Sequence, residues 1–240
     1  MTSLPRVLDV GSSVAASLAR GLSGVVVVGA PRRRPVEPLV LYDFEACPFC
    51  RKVREALTVF DLDAHVRPCP KGGRRFRPEV ARRGGRTRFP YLEDPNTGKA
   101  LYESDAIVAM LAREYGDGRV PRALSLGPLT DLSSSAASLV RLGRGSHARP
   151  SRPPARELEL WSFEGSPFSR LVRETLCSLE IPYLLRNVGR GSPRRAELVR
   201  RAGRMQVPFL VDPGAGVELF ESADIVRYLE GTYGGSDARP

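Results

Sequence analysis

The chain has 240 residues, 42% of them hydrophobic and 27% charged, with a formal net charge of +10 and an isoelectric point near 10.0. That length supports one sizeable core or two small ones of about 80 to 100 residues each. The cations are nearly all arginine and are scattered, without a zinc finger, helix-turn-helix or aromatic single-strand platform beside them, so the reading leaves out specific nucleic-acid binding.

Residues 1–36 hold Arg6, Arg20, Arg32, Arg33 and Arg34 and five serines against a single acid, Asp9. This is the composition of an organellar transit peptide. The other reading of the same stretch is an ordered helix, Val14 to Val28, packed on the body. Its apolar run, Leu22 to Ala30, falls far short of the ~20 residues a membrane-spanning helix needs, so no transmembrane helix is expected.

Over 37–117, a short apolar run around Leu39 and Leu41 reads as a strand. Val53, Ala56, Leu57 and Phe60 then recur at helical spacing, which predicts an amphipathic helix from Pro48 to about Asp61 with proline in its first turn. Ala64 to Arg67 reads as a second strand, followed by an arginine-rich helix to about Arg83. Pro90 to Glu93, a turn through Asp94-Pro-Asn-Thr-Gly98, and Lys99 to Tyr102 form a hairpin. Ser104 is expected to cap a last helix through Tyr115, buried along Ile107, Val108 and Leu111.

Residues 118–156 are rich in Ser, Pro, Gly and Arg and read as a linker. One short helix is expected inside it, with Leu129, Leu132, Ala136, Leu139 and Val140 on a single face. From 157 to 235 the first unit then repeats. Leu39-Val-Leu-Tyr-Asp-Phe-Glu-Ala-Cys-Pro-Phe-Cys-Arg aligns with Leu158-Glu-Leu-Trp-Ser-Phe-Glu-Gly-Ser-Pro-Phe-Ser-Arg. Phe89-Pro90 aligns with Val207-Pro208, and Glu103-Ser104 with Glu221-Ser222. Residues 236–240 are a tail. Strand, helix, strand, helix, hairpin, helix is the order of a thioredoxin-fold unit, so the fold class is α/β with two such domains in tandem.

The chemistry lies in the thiols. The four cysteines are too few and too unevenly placed for a disulfide framework, which favours a reducing compartment. His65 and His147 lack ligand spacing to Cys47-Pro-Phe-Cys50, so no zinc site is expected. Cys47 falls at a helix amino terminus, where unpaired N–H groups and the helix dipole stabilise a thiolate, with Arg51 and Lys52 one turn on. Cys47 is therefore the candidate nucleophile and Cys50 the resolving thiol, working through a mixed disulfide. Cys69 reads as a bystander and Cys177 as a packed apolar thiol. In the second unit Ser166 and Ser169 replace both cysteines, which rules out dithiol exchange there.

The Cys-Pro-Phe-Cys, the Phe89-Pro90 and the Glu103-Ser104 together resemble the glutathione-binding amino-terminal domain shared by glutathione transferases and glutaredoxins. The tandem arrangement, the basic leader and the Leu-Ser-Leu-Gly of the linker are similar to plant and algal plastid proteins carrying that domain, over about residues 37 to 235, which implies a chloroplast address with the cytosol as the alternative. The resemblance implies glutathione as ligand or co-substrate and disulfides or glutathionylated proteins as substrates. It implies that Pro90 is cis, that Phe89 offers its backbone to the cysteinyl part of glutathione, and that Glu103 and Ser104 hold the γ-glutamyl end, with Phe49 and Arg51 nearby. In the second unit it carries over to Phe168, Val207, Pro208, Glu221 and Ser222, and to Ser166 in the place of the serine that contacts the glutathione thiolate in serine-type transferases. Local alternatives stand beside these: Pro90 as a strand-start proline, and Ser104 and Ser166 as helix caps. Glutathione transferases bind their electrophile mainly with an all-helical second domain, which the linker is too short to supply. The leading reading is thus a glutathione-dependent thiol oxidoreductase. A non-catalytic glutathione- or protein-binding scaffold is the alternative, and a glutathione-ligated iron–sulfur cluster on Cys47 is a third.

Overall fold

The structure is a computed structural model that describes residues 24–28, 33–125 and 145–235. The first unit runs β1 (Leu39–Asp43), α1 (Pro48–Val59), β2 (Ala64–Pro68), α2 (Arg77–Gly84), β3 (Tyr91–Asp94), β4 (Lys99–Tyr102) and α3 (Ser104–Glu114). A short α4 (Arg122–Ser125) follows. The second unit repeats the order with β5 (Leu158–Ser162), α5 (Pro167–Ser178), β6 (Tyr183–Asn187), α6 (Arg194–Ala202), β7 (Phe209–Asp212), β8 (Val217–Phe220) and α7 (Ser222–Tyr233). Local chemistry sets these bounds. Prolines open α1 and α5, where a missing N–H costs nothing. Gly85 and Gly203 end α2 and α6 in the left-handed conformation, at φ +76° and +77°.

Alternate residues of β1 face opposite ways. Leu39 and Leu41 join Val53, Ala56 and Leu57 of α1 and Ile107 and Leu111 of α3 in the main core, while Tyr42 packs with Phe76 and Val80 below α2. The second unit has the same layering: Leu158 and Leu160 share the main core with Val172 and Leu176, and Trp161 sits with Leu198 and Phe209. Each unit is thus a strand layer with two helices on one face and one on the other, the thioredoxin fold.

The strand order is β4-β3-β1-β2-β6-β5-β7-β8, one mixed sheet that reads the same from either end. The halves meet where β2 pairs antiparallel with β6, His65 opposite Leu184 and Val66 opposite Tyr183. This junction satisfies two edges that would otherwise expose unpaired backbone groups. The main core is continuous across it.

Two expectations about the connecting segments change. Residues 24–28 turn at Gly24 and form an isolated bridge at Val26 rather than the end of a helix, and are fastened to both units: Val27 N donates to Arg190 O at 2.8 Å, Val28 N to Val59 O at 3.1 Å, and Gly165 N to Gly24 O at 2.9 Å. The rest of the expected leader helix, and the linker helix from Leu129 to Val140, lie outside the described residues. Within the linker, Leu124 of α4 is buried against the main core, and residues 145–152 bridge the halves, Lys71 N donating to Ser146 O and Arg149 N to Ser178 O. Among the described residues no helix is long and apolar enough to cross a membrane.

Candidate functional site

Cys47 is the N-cap of α1, in extended conformation, and its Sγ accepts from Cys50 N at 3.3 Å. Its thiol is held below the ordinary value by the Cys50 thiol, which hydrogen-bonds to it; burial opposes this, and the backbone N–H groups of Cys50 and Phe49 and the Arg54 guanidinium help. Cys50 goes the other way. It is fully buried, and burial, followed by the hydrogen bond and charge of Cys47 and the charge of Asp43, pushes its thiol well above the ordinary value. One thiol shifted toward its thiolate beside one shifted away from it is a division that thiol–disulfide exchange uses.

Cys47 opens on a cavity of about 380 Å³ whose wall also includes Phe44, Phe49, Arg88, Phe89, Pro90, Glu103 and Ser104. The Phe89–Pro90 peptide is cis. The Phe89 ring is fixed edge-on to Phe44 at 6.2 Å and lies under the Arg77 guanidinium at 4.8 Å. Phe49, between the cysteines, is 45% exposed, which is unusual for so large an apolar side chain. Glu103, not Ser104, is the N-cap of α3; it makes no side-chain capping bond and sits at φ +65°, where an L side chain is strained. Ser104 is the first helical residue and is buried against the cavity. The six sequence-selected residues Cys47, Phe49, Phe89, Pro90, Glu103 and Ser104 therefore meet at one place.

Arg51 does not join them. Its side chain is buried where the two units meet, with Nε donating to Glu55 at 3.1 Å and lying 3.9 Å from Glu164. The cation on the cavity wall is Arg88, 3.8 Å from Glu103 and mostly exposed. Sequence reading passed over it, although its place immediately before Phe89-Pro90 was a signal.

The second unit reproduces the frame with different contents. Val207–Pro208 is cis, Glu221 sits at φ +64° ahead of Ser222, and Phe168 is 45% exposed. Ser166 is the N-cap of α5, its Oγ accepting from Ser169 N at 3.2 Å, so the helix-capping role is realised. Gln206 stands where Arg88 stands in the first unit and donates from Nε2 to Glu221 at 2.5 Å.

The profile of the family described as Glutathione S-transferase, N-terminal domain matches the chain twice, at residues 41–119 and 160–237. The chain belongs to that family. Among solved structures it is similar to the Bombyx mori glutathione transferase BmGSTD1, at 32% identity over 35% of this chain and 38% of that one, with a TM-score of 0.32. It is also similar to Leishmania TDR1, described as a unique trimeric glutathione transferase, at 13% identity over 85% of this chain and 68% of that one, with a TM-score of 0.29. The chain thus spans well under half the length of BmGSTD1. No curated protein matches it.

In this member of the glutathione S-transferase N-terminal-domain family the two units also share a buried ionic seam. Arg54 Nε lies 3.0 Å from Glu164 and its Nη1 2.5 Å from Asp43, while Nη2 donates to the Glu45 carbonyl at 3.1 Å. Arg173 reciprocates from the second unit, 3.1 Å from Glu45 and 2.9 Å from Glu164. Arg54 thereby anchors the loop two residues ahead of Cys47. Burial raises the Glu164 carboxyl, but Arg173, Arg54, Arg51 and Arg170 overcome it and bring it down to about 2. The same seam takes in Cys177, whose Sγ bonds to Gly145 O at 3.1 Å and accepts from Glu45 N at 3.4 Å, a more polar setting than expected. Burial, then the Asp43 charge, keeps both Cys69 and Cys177 protonated. Among the described residues no group of three or more His, Cys, Asp or Glu side chains is placed to hold a metal ion.

Proposed function

We propose that this chain is a glutathione-binding thiol–disulfide oxidoreductase in which Cys47 is the nucleophile and Cys50 the resolving thiol. The observation that carries the reading is the depressed Cys47 thiol at the mouth of a cavity formed with Phe89, Pro90, Glu103 and Ser104. The cavity suits a small zwitterionic peptide. The amino end of α3 and the Arg88 guanidinium attract carboxylates, the Glu103 carboxylate attracts an ammonium group, and Phe49 and Phe89 cover the apolar middle. Cys47 attacks the disulfide of a glutathionylated substrate, the substrate thiol leaves, and glutathione remains on Cys47. Cys50, or a second glutathione, then removes it.

The second unit serves as a serine-bearing binding unit for glutathione or substrate, framed by Ser166, Phe168, Val207, Pro208, Glu221 and Ser222. The capping bond of Ser166 favours a supporting role over catalysis for that serine. It also favours the second reading, a non-catalytic scaffold, for this half. The composition of residues 1–36 supports a plastid address, which an import assay on a fluorescent fusion tests. Turnover of a glutathionylated substrate tests the function: Cys47→Ser abolishes it if the enzyme reading holds, and equal turnover by that variant rejects it.

A further inference from the structure

Glu45 stands two residues before Cys47, in the loop that delivers Cys47 to the amino end of α1. Each of its polar groups is tied. Its carboxylate receives a two-pronged bond from Arg173, Nε to Oε2 at 3.2 Å and Nη2 to Oε1 at 3.1 Å. Its N–H donates to Cys177 Sγ at 3.4 Å, and that thiol in turn donates to Gly145 O at 3.1 Å. Its carbonyl accepts from Arg54 Nη2 at 3.1 Å. Gly145 closes on the same residue, since a Cβ there would lie 3.0 Å from the Glu45 Cβ. Arg173 and Cys177 belong to the second unit and Gly145 to the segment leading into it, so the redox loop of the first unit is gripped from the second. The repeat shows the same grip with the units exchanged. Glu164, two residues before Ser166, accepts from Arg54 Nε at 3.0 Å, its N–H donates to Thr58 Oγ1 at 3.2 Å, and its carbonyl accepts from Arg173 Nη2 at 3.3 Å. Thr58 holds in the first unit the place that Cys177 holds in the second. The second unit has thus kept its half of the grip while carrying no thiol pair of its own.

We propose that Arg173 and Cys177 are positioning residues for Cys47, and that the second unit braces the redox loop of the first. The inference rests on the reading of Cys47 as the nucleophile. Replacing a buried ion pair by apolar side chains of similar volume is often neutral or stabilising, so what the Arg173 fork adds is fixed geometry. The geometry matters because Cys47 Sγ stays 3.3 Å from Cys50 N only while the loop ahead of it keeps its place. The influence of a helix amino end on a charge falls off within the first turn, so a loop that slackens loses it quickly. The groups acting on the Cys47 thiol are the Cys50 thiol, the N–H groups of Cys50 and Phe49, and the Arg54 guanidinium, with Arg88 and Glu103 across the cavity. Burial and the Asp43 charge keep Cys177 protonated. A change at Cys177 therefore reaches Cys47 through the loop, not through a charge.

The test follows Cys47 in the full chain by its rate of alkylation with iodoacetamide across a pH series, each thiol being mapped by mass spectrometry. Cys177→Val keeps the volume and removes the acceptor; it moves the midpoint of the Cys47 curve up by about 1 pH unit and slows alkylation below the wild-type midpoint about tenfold. Arg173→Lys keeps the charge, loses the fork and moves the curve the same way. Cys177→Thr, which copies Thr58, keeps the wild-type curve. Thr58→Val loosens the loop of the second unit instead and leaves the Cys47 curve in place. A folded Cys177→Val or Arg173→Lys protein whose curve overlays the wild type overturns the proposal. So does an equal shift in Cys177→Thr or Thr58→Val, which would mark a general loosening of the seam. Should the variants not fold, hydrogen exchange of the wild type decides: the Glu45 amide is protected, and exchange at the rate of a free loop overturns the brace. A Cys47 that shifts as described yet takes no glutathione sinks the glutathione reading and leaves the brace standing. A wild-type Cys47 with the curve of an ordinary thiol removes both.

Discussion

Glu164→Gln keeps the shape of a side chain in the seam and removes its charge. The Glu164 carboxyl lies at about 2, against an ordinary 4.5. At about 1.4 kcal/mol per pK unit, that difference contributes about 3 kcal/mol to the folded state. The pair geometry leads to a similar figure. Removing one partner of a buried ion pair costs about 3 to 5 kcal/mol. Here the lower end applies, because Arg54 keeps Asp43 at 2.5 Å and both arginines keep Glu45, at 3.4 and 3.1 Å. Since the folded value is depressed, this stability is present in full above the unfolded value of 4.5 and fades as the pH falls toward 2. Guanidinium unfolding followed by the fluorescence of Trp161, the single tryptophan, measures it. The expected result is a variant about 3 kcal/mol less stable than wild type at pH 7, with the gap reduced by more than half at pH 3. Coincident unfolding curves at pH 7, or a gap that does not change with pH, would refute the reasoning.

Glu103→Gly removes a side chain from a left-handed backbone position, so it should raise stability by about 1 kcal/mol in denaturant unfolding while weakening glutathione binding by calorimetry. Loss of both stability and affinity would mean that Glu103 is a structural residue. Tyr115→Phe deletes the hydroxyl that donates to Asp94 at 2.7 Å beneath the β3–β4 turn, and a loss of about 1 to 2 kcal/mol with unchanged Cys47 reactivity is expected. Slower alkylation of Cys47 in that variant would tie the turn to the site.

The elements of each unit were legible because each carries a local signature. Val53, Ala56, Leu57 and Phe60 mark α1 by spacing alone, and the Asp94-to-Gly98 turn marks the hairpin. The cavity residues were legible because the two copies keep them in register. The joining of the halves was not. A strand such as Ala64 to Pro68 has the same period whether it lies at an edge or pairs with β6, so nothing local announces that partner. Arg51, expected beside Cys47 and glutathione, is drawn instead into the seam with Arg54 and Arg173, and nothing local to a helix announces the opposite unit's carboxylates that bury these charges. The available signal was Phe-Glu at the same place in both copies, Glu45 and Glu164. Serine favours the cap position, so the sequence points to Ser104, whereas the strained Glu103 occupies it.

The central claim is that Cys47 carries glutathione and Cys50 removes it. Peptide-mapping mass spectrometry of the Cys50→Ser protein after exposure to oxidised glutathione tests this most directly. The account predicts a stable glutathione adduct on Cys47, none on the buried Cys69 or Cys177, and, in the wild type, conversion of that adduct to a Cys47–Cys50 disulfide. An unmodified Cys47 in the variant, or an adduct that persists unchanged in the wild type, would contradict it.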